Sequence, residues 1–161
     1  NIAYWTGRGY LGLGRSAAGM LDAEDFDRLA GLFPGASSRG DAYRVRLVQR
    51  DDDATVFEAE YLSQREAAAE DLMLACRMTR GVASDLLVRV ARVIPADGLT
   101  AACDRALELG LATWVPETLG VHEGPFTSAD VVAGHVRARL APTHLGWLDG
   151  NMLFELFWDL A

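Results

Sequence analysis

Phe26, Leu29, Ala30 and Phe33 recur at the spacing of one helix face, and Asp22 stands before them as an N-cap with an acid-rich first turn. Pro34-Gly35 stops that helix, and residues 36–41 read as a loop. The period then changes. Tyr43-Arg-Val45-Arg-Leu47-Val-Gln49 alternates apolar with polar, the mark of a half-buried strand, and residues 55–61 form the returning strand after a solvated Asp51-Asp52-Asp53 turn. From residue 63 the helical period returns. Ser63-Gln-Arg-Glu66 is a capping box, and the helix it opens carries Ala69, Leu72, Met73 and Cys76 on one face and ends near Arg80-Gly81. Ser84 is expected to cap a second helix with Leu86, Leu87, Val90 and Val93, closed by Pro95. Asp97 is expected to cap a third with Leu99, Cys103, Ala106 and Leu107, closed by Gly110. A β run at 111–115 is cut off at Pro116.

Three compact helices followed by a β-wing is the winged-helix order. The second wing strand falls at about Arg137–Leu140, so residues 117–134 read as an insertion in the wing. A last helix is expected from Thr143 to the end, with Gly146 and Gly150 one turn apart and open to close packing against a neighbour. From Met152 onward its apolar residues are not confined to one stripe, which implies burial on more than one side and a second partner surface.

The first twenty residues stand apart from this pattern. The chain opens without Met, runs through Tyr4-Trp5 into a short apolar strand at Tyr10–Gly14, and continues in the small residues Ser16-Ala17-Ala18-Gly19. We read this stretch as the last strand of something larger. Gly12-x-Gly14-x-x-Ala17 formally matches a dinucleotide-binding fingerprint, but that motif needs a long helix at once after it, and Gly19 falls where the helix would run. The better reading is that Gly12 and Gly14 let another backbone or a ligand come close. The expected fold class is therefore α+β: a leftover strand at 1–20, a helix and β-hairpin at 21–62, and a mostly helical winged-helix-like domain at 63–161.

Composition narrows the function classes. Half of the 161 residues are apolar, enough for a core. Lys+Arg number 15 against 23 Asp+Glu, a formal charge of -8, which disfavours a phosphate backbone and anionic membranes. No apolar run approaches the ~20 residues of a membrane-spanning helix, and no export signal is visible. Cys76 and Cys103 are too few for a disulfide scaffold and read as reduced, in a cytoplasmic protein. The three aspartates at 51–53 lack the alternating ligands, glycine and distal Glu of a Ca²⁺ loop. His122 and His135 each stand alone, without a second ligand at metal-site spacing.

The order of motifs resembles the C-terminal part of the coproporphyrinogen III oxidase-like radical SAM proteins. The matching residues are Asn1…Tyr4-Trp5, Tyr10-Leu-Gly-Leu-Gly14-x-x-Ala17, Glu70-x-Leu-Met-Leu-x-x-Arg77-x-x-x-Gly81-Val82, Leu107-x-x-Gly110-Leu111, and Arg139-Leu-x-x-Thr143-x-x-Gly146-x-Leu148-x-x-Asn151. They span nearly the whole chain apart from the hairpin and the wing insertion. Tyr4-Trp5 and the Leu-Met-Leu-x-x-Arg helix look more like the heme-chaperone branch than the oxygen-independent oxidase. The resemblance implies that Gly12, Gly14 and Ala17 lie in the final strand region of a radical SAM barrel, on the wall of its S-adenosylmethionine pocket. Many members carry His-Ser after that Ala, whereas this chain has Ala18-Gly19. The family's 4Fe–4S cluster is held by a Cys-x-x-x-Cys-x-x-Cys run that this chain does not contain.

The chain is thus expected to be an accessory domain acting in heme biosynthesis or delivery, not catalytic by itself, whose barrel, cluster and S-adenosylmethionine belong to the parent protein. An edge exposed at residues 1–20 suggests folding back, disorder, or pairing into a homodimer. Two other readings compete. A winged-helix module for nucleic acid or protein would present its third helix, Gly98-Leu-Thr-Ala-Ala-Cys-Asp-Arg105-Ala-Leu-Glu-Leu, which offers one Arg and two acids. A heme- or porphyrin-binding domain would use His122, His135, His144 or a Cys as an axial ligand.

Overall fold

The computed structural model describes residues 2–12, 14, 16–36, 38–49, 56–117 and 124–161. The fold is α+β and divides into two compact units, Asn1–Ala67 and Ala68–Ala161. Residues 1–62 all fall in the first unit, which runs on to Ala67.

The first unit opens with a one-turn helix, α1 (Ile2–Trp5), and is built on an antiparallel sheet of β1 (Ala18–Asp22), β2 (Arg44–Gln49) and β3 (Phe57–Leu62), in that order. The register sets Leu21 beside Val45 and Tyr61, and Gly19 beside Leu47 and Ala59, so one face collects these apolar side chains. On that face lies α2 (Ala23–Leu29), followed by a 3-10 turn at Ala30–Leu32. Leu21, Phe26, Phe33, Val45 and Leu47 are buried together, and each is worth roughly 1.5–3 kcal/mol relative to exposure. Phe33 also meets Phe57 edge to face at 5.3 Å. The expected cap is present: the Asp25 backbone N–H donates to the Asp22 side chain at 2.8 Å. Arg39 donates two bonds to Asp27, at 2.9 and 2.7 Å, and so pins the loop before β2 to α2.

Two expectations need correction here. The strand is Ala18–Asp22, not Tyr10–Gly14, because β1 has β2 to pair with whereas Tyr10 makes only an isolated bridge to Met20. The returning strand starts at Phe57 rather than residue 55, and Asp51–Asp53 lie outside the described residues.

Helix α3 (Gln64–Cys76) begins in the first unit and continues in the second. Its capping box is formed: the Ser63 N–H donates to the Glu66 carboxylate at 2.7 Å, and the Glu66 N–H to Ser63 Oγ at 3.2 Å. The Ser63 N–H, and after it the Ser63 hydroxyl, hold the Glu66 carboxyl below its ordinary pKa. The helix ends at Cys76, before the expected Arg80.

The second unit follows with α4 (Ser84–Val90), α5 (Ala96–Glu108), β4 (Ala112–Pro116), α6 (Ser128–Val132), β5 (Ala138–Pro142), α7 (His144–Leu148) and α8 (Gly150–Trp158). β4 and β5 pair antiparallel with Trp114 opposite Leu140, giving the wing expected from the sequence. Val82 bridges Leu140 from the other edge through two backbone bonds of 2.9 Å. That approach requires Gly81, whose φ is +68° and where a Cβ would fall 2.0 Å from the Leu140 oxygen.

Three local readings differ. Ser84 is the first residue of α4 rather than its cap, and Pro95 rather than Asp97 precedes α5. The wing insertion carries a helix of its own: α6, opened by a Thr127/Asp130 capping box, places Val131 and Val132 in the core. The last helix is two helices, broken at Asp149 (φ -103°, ψ 40°), so Gly146 and Gly150 do not share one helix face. Gly146 packs as expected, against the Leu111 carbonyl, whereas Gly150 faces the Phe154 ring of its own helix.

Candidate functional site

The residues that the sequence marks for cofactor binding form a tight hairpin. Tyr10 and Met20 exchange backbone bonds of 2.8 Å each, and the Ala17 N–H donates to the Gly14 carbonyl at 3.1 Å. Gly14 (φ +110°) and Ser16 (φ +56°) sit in the left-handed region that a reversal of this kind uses. A Cβ on Gly12 would lie 2.3 Å from the Ala18 oxygen and 2.9 Å from the Ala17 Cβ. Gly12 and Ala17 are therefore brought together, with Gly14 at the bend between them. The approaching backbone is the chain's own. The dinucleotide fingerprint has no counterpart in this geometry, since β1 and not a helix follows it, and every strand pair among the described residues is antiparallel. Tyr4 and Tyr10 meet edge to face at 5.5 Å, and Tyr4 meets Trp5 at 4.8 Å, close to this hairpin in sequence.

Cys76 on α3 and Cys103 on α5 are both free, both buried, and in one core cluster. Burial pushes the Cys103 thiol up to about 12, with the Asp104 charge adding to it. Burial raises Cys76 further still, with Cys103 as the second cause. A thiol so shifted stays protonated at neutral pH and is neither nucleophile nor metal ligand. These are the only cysteines in the sequence. Its residues therefore do not fit a 4Fe–4S cluster, which takes thiolate donors.

His135 and His144 are exposed, at the turn after α6 and at the start of α7, and His122 lies outside the described residues. Among the described residues no three His, Cys, Asp or Glu side chains are grouped to hold a metal. On α5, the helix a nucleic-acid reading would use, Asp97, Asp104 and Glu108 are exposed, and Arg105 is tied to Glu108 at 3.2 Å. No described helix is long and apolar enough to cross a membrane.

The structure adds a polar joint that the sequence did not announce. Buried Ser84 donates its hydroxyl to Glu117 at the end of β4, and the Ser84 N–H reaches the same carboxylate at 3.4 Å. Arg137 lies 3.9 Å from Glu117 and 3.0 Å from Asp85, and Trp114 Nε1 donates to buried Ser128 at 3.3 Å. Ser84 and Glu117 are 33 positions apart, so no local pattern could show their bond. The Thr127-x-x-Asp130 box was a readable signal. Glu117→Ala is expected to destabilise the second unit by about 1–3 kcal/mol, since it strands a buried hydroxyl. In urea unfolding, Ser84→Ala/Glu117→Ala should then lose less than the sum of the single losses. Strict additivity would refute the coupling.

Several motif residues of the second unit are in backbone contact. The Thr143 hydroxyl donates to the Gly110 carbonyl at 2.6 Å and accepts from the Gly146 N–H at 3.1 Å. The Thr143 N–H donates to the Leu111 carbonyl at 2.9 Å, the same oxygen that leaves no room for a Cβ on Gly146. On β5, three residues before Thr143, Leu140 holds Val82. Arg77 lies over the Phe154 ring at 4.4 Å, joining the segment after α3 to α8.

No family model, curated protein or solved structure matches this chain.

Proposed function

We propose that this chain is the C-terminal accessory domain of a coproporphyrinogen III oxidase-like radical SAM protein, acting in heme biosynthesis or heme delivery and without catalytic power of its own. One observation carries the reading. Gly81-Val82 meets Leu140 of the Arg139-Leu140 piece through two backbone bonds, and Gly110-Leu111 meets Thr143-x-x-Gly146, which follows Leu140 by three residues in the chain. Residues that resemble a family because its fold requires them are expected to meet in this way. They build a scaffold, which is the role this reading gives them.

In this reading the cluster and S-adenosylmethionine belong to a barrel supplied elsewhere in the parent protein, and heme is the cargo or product of the pathway. The 10–20 hairpin is where the chain would join that barrel, with Gly12, Gly14 and Ala17 near the cofactor wall.

The test is anaerobic reconstitution of this chain with ferrous iron and sulfide, followed by gel filtration and incubation with S-adenosylmethionine and a reductant. The expected result is no retained iron–sulfur absorbance and no reductive cleavage of S-adenosylmethionine. A stoichiometric, redox-active cluster would overturn the proposal.

A further inference from the structure

Nine large hydrophobic side chains are exposed among the described residues, and five of them, Leu145, Trp147, Leu148, Met152 and Trp158, fall on α7 and α8. Leu148 is 71% exposed, Met152 48% and Trp158 43%, although the same two helices bury Gly146, Leu153 and Phe157 on their inner side. Isolated exposed hydrophobics are ordinary, but a concentration of this kind, with two Trp and a Met, marks an interaction surface. Trp supplies a large rigid contact, and Met adapts its shape to a partner.

Charge decides what the surface fits. From Thr143 to Ala161 the acidic residues are Asp149, Glu155 and Asp159, all exposed, and there is no Arg or Lys. None of the three carboxylates is in an ion pair among the described residues. Arg77 is engaged on the Phe154 ring of α8, and His144 stands at the start of α7. A second copy of the chain would set carboxylates against carboxylates across a two-fold contact. Anionic lipid headgroups would meet the same repulsion. An amphipathic helix with an apolar stripe flanked by Lys or Arg satisfies both the exposed side chains and the free carboxylates.

We propose that the exposed faces of α7 and α8 form a docking surface for a basic amphipathic helix of a partner protein. The apolar side chains supply the affinity and the three carboxylates select the sign of the partner.

The proposal is tested by calorimetric titration of the intact chain with a synthetic Leu/Lys amphipathic helix and with its Leu/Glu counterpart. The Leu/Lys helix should bind and the Leu/Glu helix should not. The variant Leu148→Ser/Met152→Ser/Trp158→Ser keeps the net charge and should weaken binding about tenfold or more. The variant Glu155→Gln/Asp159→Asn, which leaves the apolar contacts in place, should weaken it by a smaller factor and flatten its salt dependence. Equal binding to the apolar variant would mean unspecific attraction to an acidic protein and would overturn the proposal. So would equal binding of the Leu/Glu helix. Concentration-dependent dimerisation, or adsorption to phosphatidylglycerol vesicles, that the apolar variant abolishes would assign the surface to a different occupant and overturn it as well.

Discussion

Gly146→Ala is expected to unfold the second unit under conditions in which Gly150→Ala leaves it folded. Two effects oppose each other at residue 146. Ala is a better helix former than Gly by about 1 kcal/mol, which favours the substitution within α7. Against this, the added Cβ would fall 1.9 Å from the Leu111 oxygen and 2.9 Å from its carbonyl carbon. That oxygen cannot simply retreat. It accepts the Thr143 N–H at 2.9 Å, and Leu111 is itself buried at the junction between α5 and β4. Relief requires α7 to move off the joint, which breaks the Thr143 bonds to Gly110 and Gly146. Overpacking against backbone costs on the order of 3 kcal/mol or more and outweighs the propensity gain. At residue 150 the new Cβ would meet only the Phe154 ring, at 3.0 Å, a side chain that can rotate. There the net change should be under about 1 kcal/mol. Urea unfolding followed by circular dichroism separates the two variants. Equal midpoints would show that α7 is not held against Leu111 as described.

The same joint shows which features could be read in advance. The Asp22 cap, the Ser63/Glu66 box and the two wing strands are local: each depends on residues a few positions apart, or on an alternation visible in one segment. Strand β1 was not legible. Ala-Gly-Met-Leu-Asp has no alternation and contains a Gly, and it is a strand because β2 lies beside it in register. Tyr10–Gly14 looked more strand-like, but its glycines serve a reversal, and only the position of Ala18 shows this. The candidate site was legible to the same depth. Gly12 and Gly14 could be recognised as positions that need glycine; whether the neighbour is a ligand or the chain itself is a non-local fact. Ser84 stands where a cap would, before an apolar stripe, while its partner, Glu117, is 33 residues away. The break at Asp149 was hidden because apolar residues continue on both sides of it, and sequence periodicity does not register one residue with ψ near 40°.

Raising the pH from 9 to 11 is expected to destabilise the second unit steeply, and Cys76→Ala/Cys103→Ala should remove most of that dependence. An unfolded thiol titrates near pH ~8.5. In the folded core Cys103 is held up to about 12 by burial, and Cys76 higher by burial and by the proximity of Cys103. Both folded values lie above the unfolded one. Their contribution to stability is therefore complete below about pH 8.5 and is lost as the pH rises toward the folded values, because the unfolded chain releases protons that the folded chain keeps. Each thiol contributes a slope of up to about 1.4 kcal/mol per pH unit, so the pair can remove on the order of 5 kcal/mol over two units. That is comparable to the whole stability of a small domain. The chain makes the measurement clean, for all 15 of its Lys+Arg residues are arginines, which hold their charge throughout this range. The tyrosines are common to both proteins and cancel in the comparison. Truncating two buried thiols costs some stability at every pH, so the diagnostic is the slope of unfolding free energy against pH and not its value at pH 7. Parallel slopes for the two proteins would mean that the thiols are not confined to the core. The same confinement predicts that a disulfide reagent labels neither cysteine before the unfolding transition, at neutral pH where the apolar core keeps both protonated.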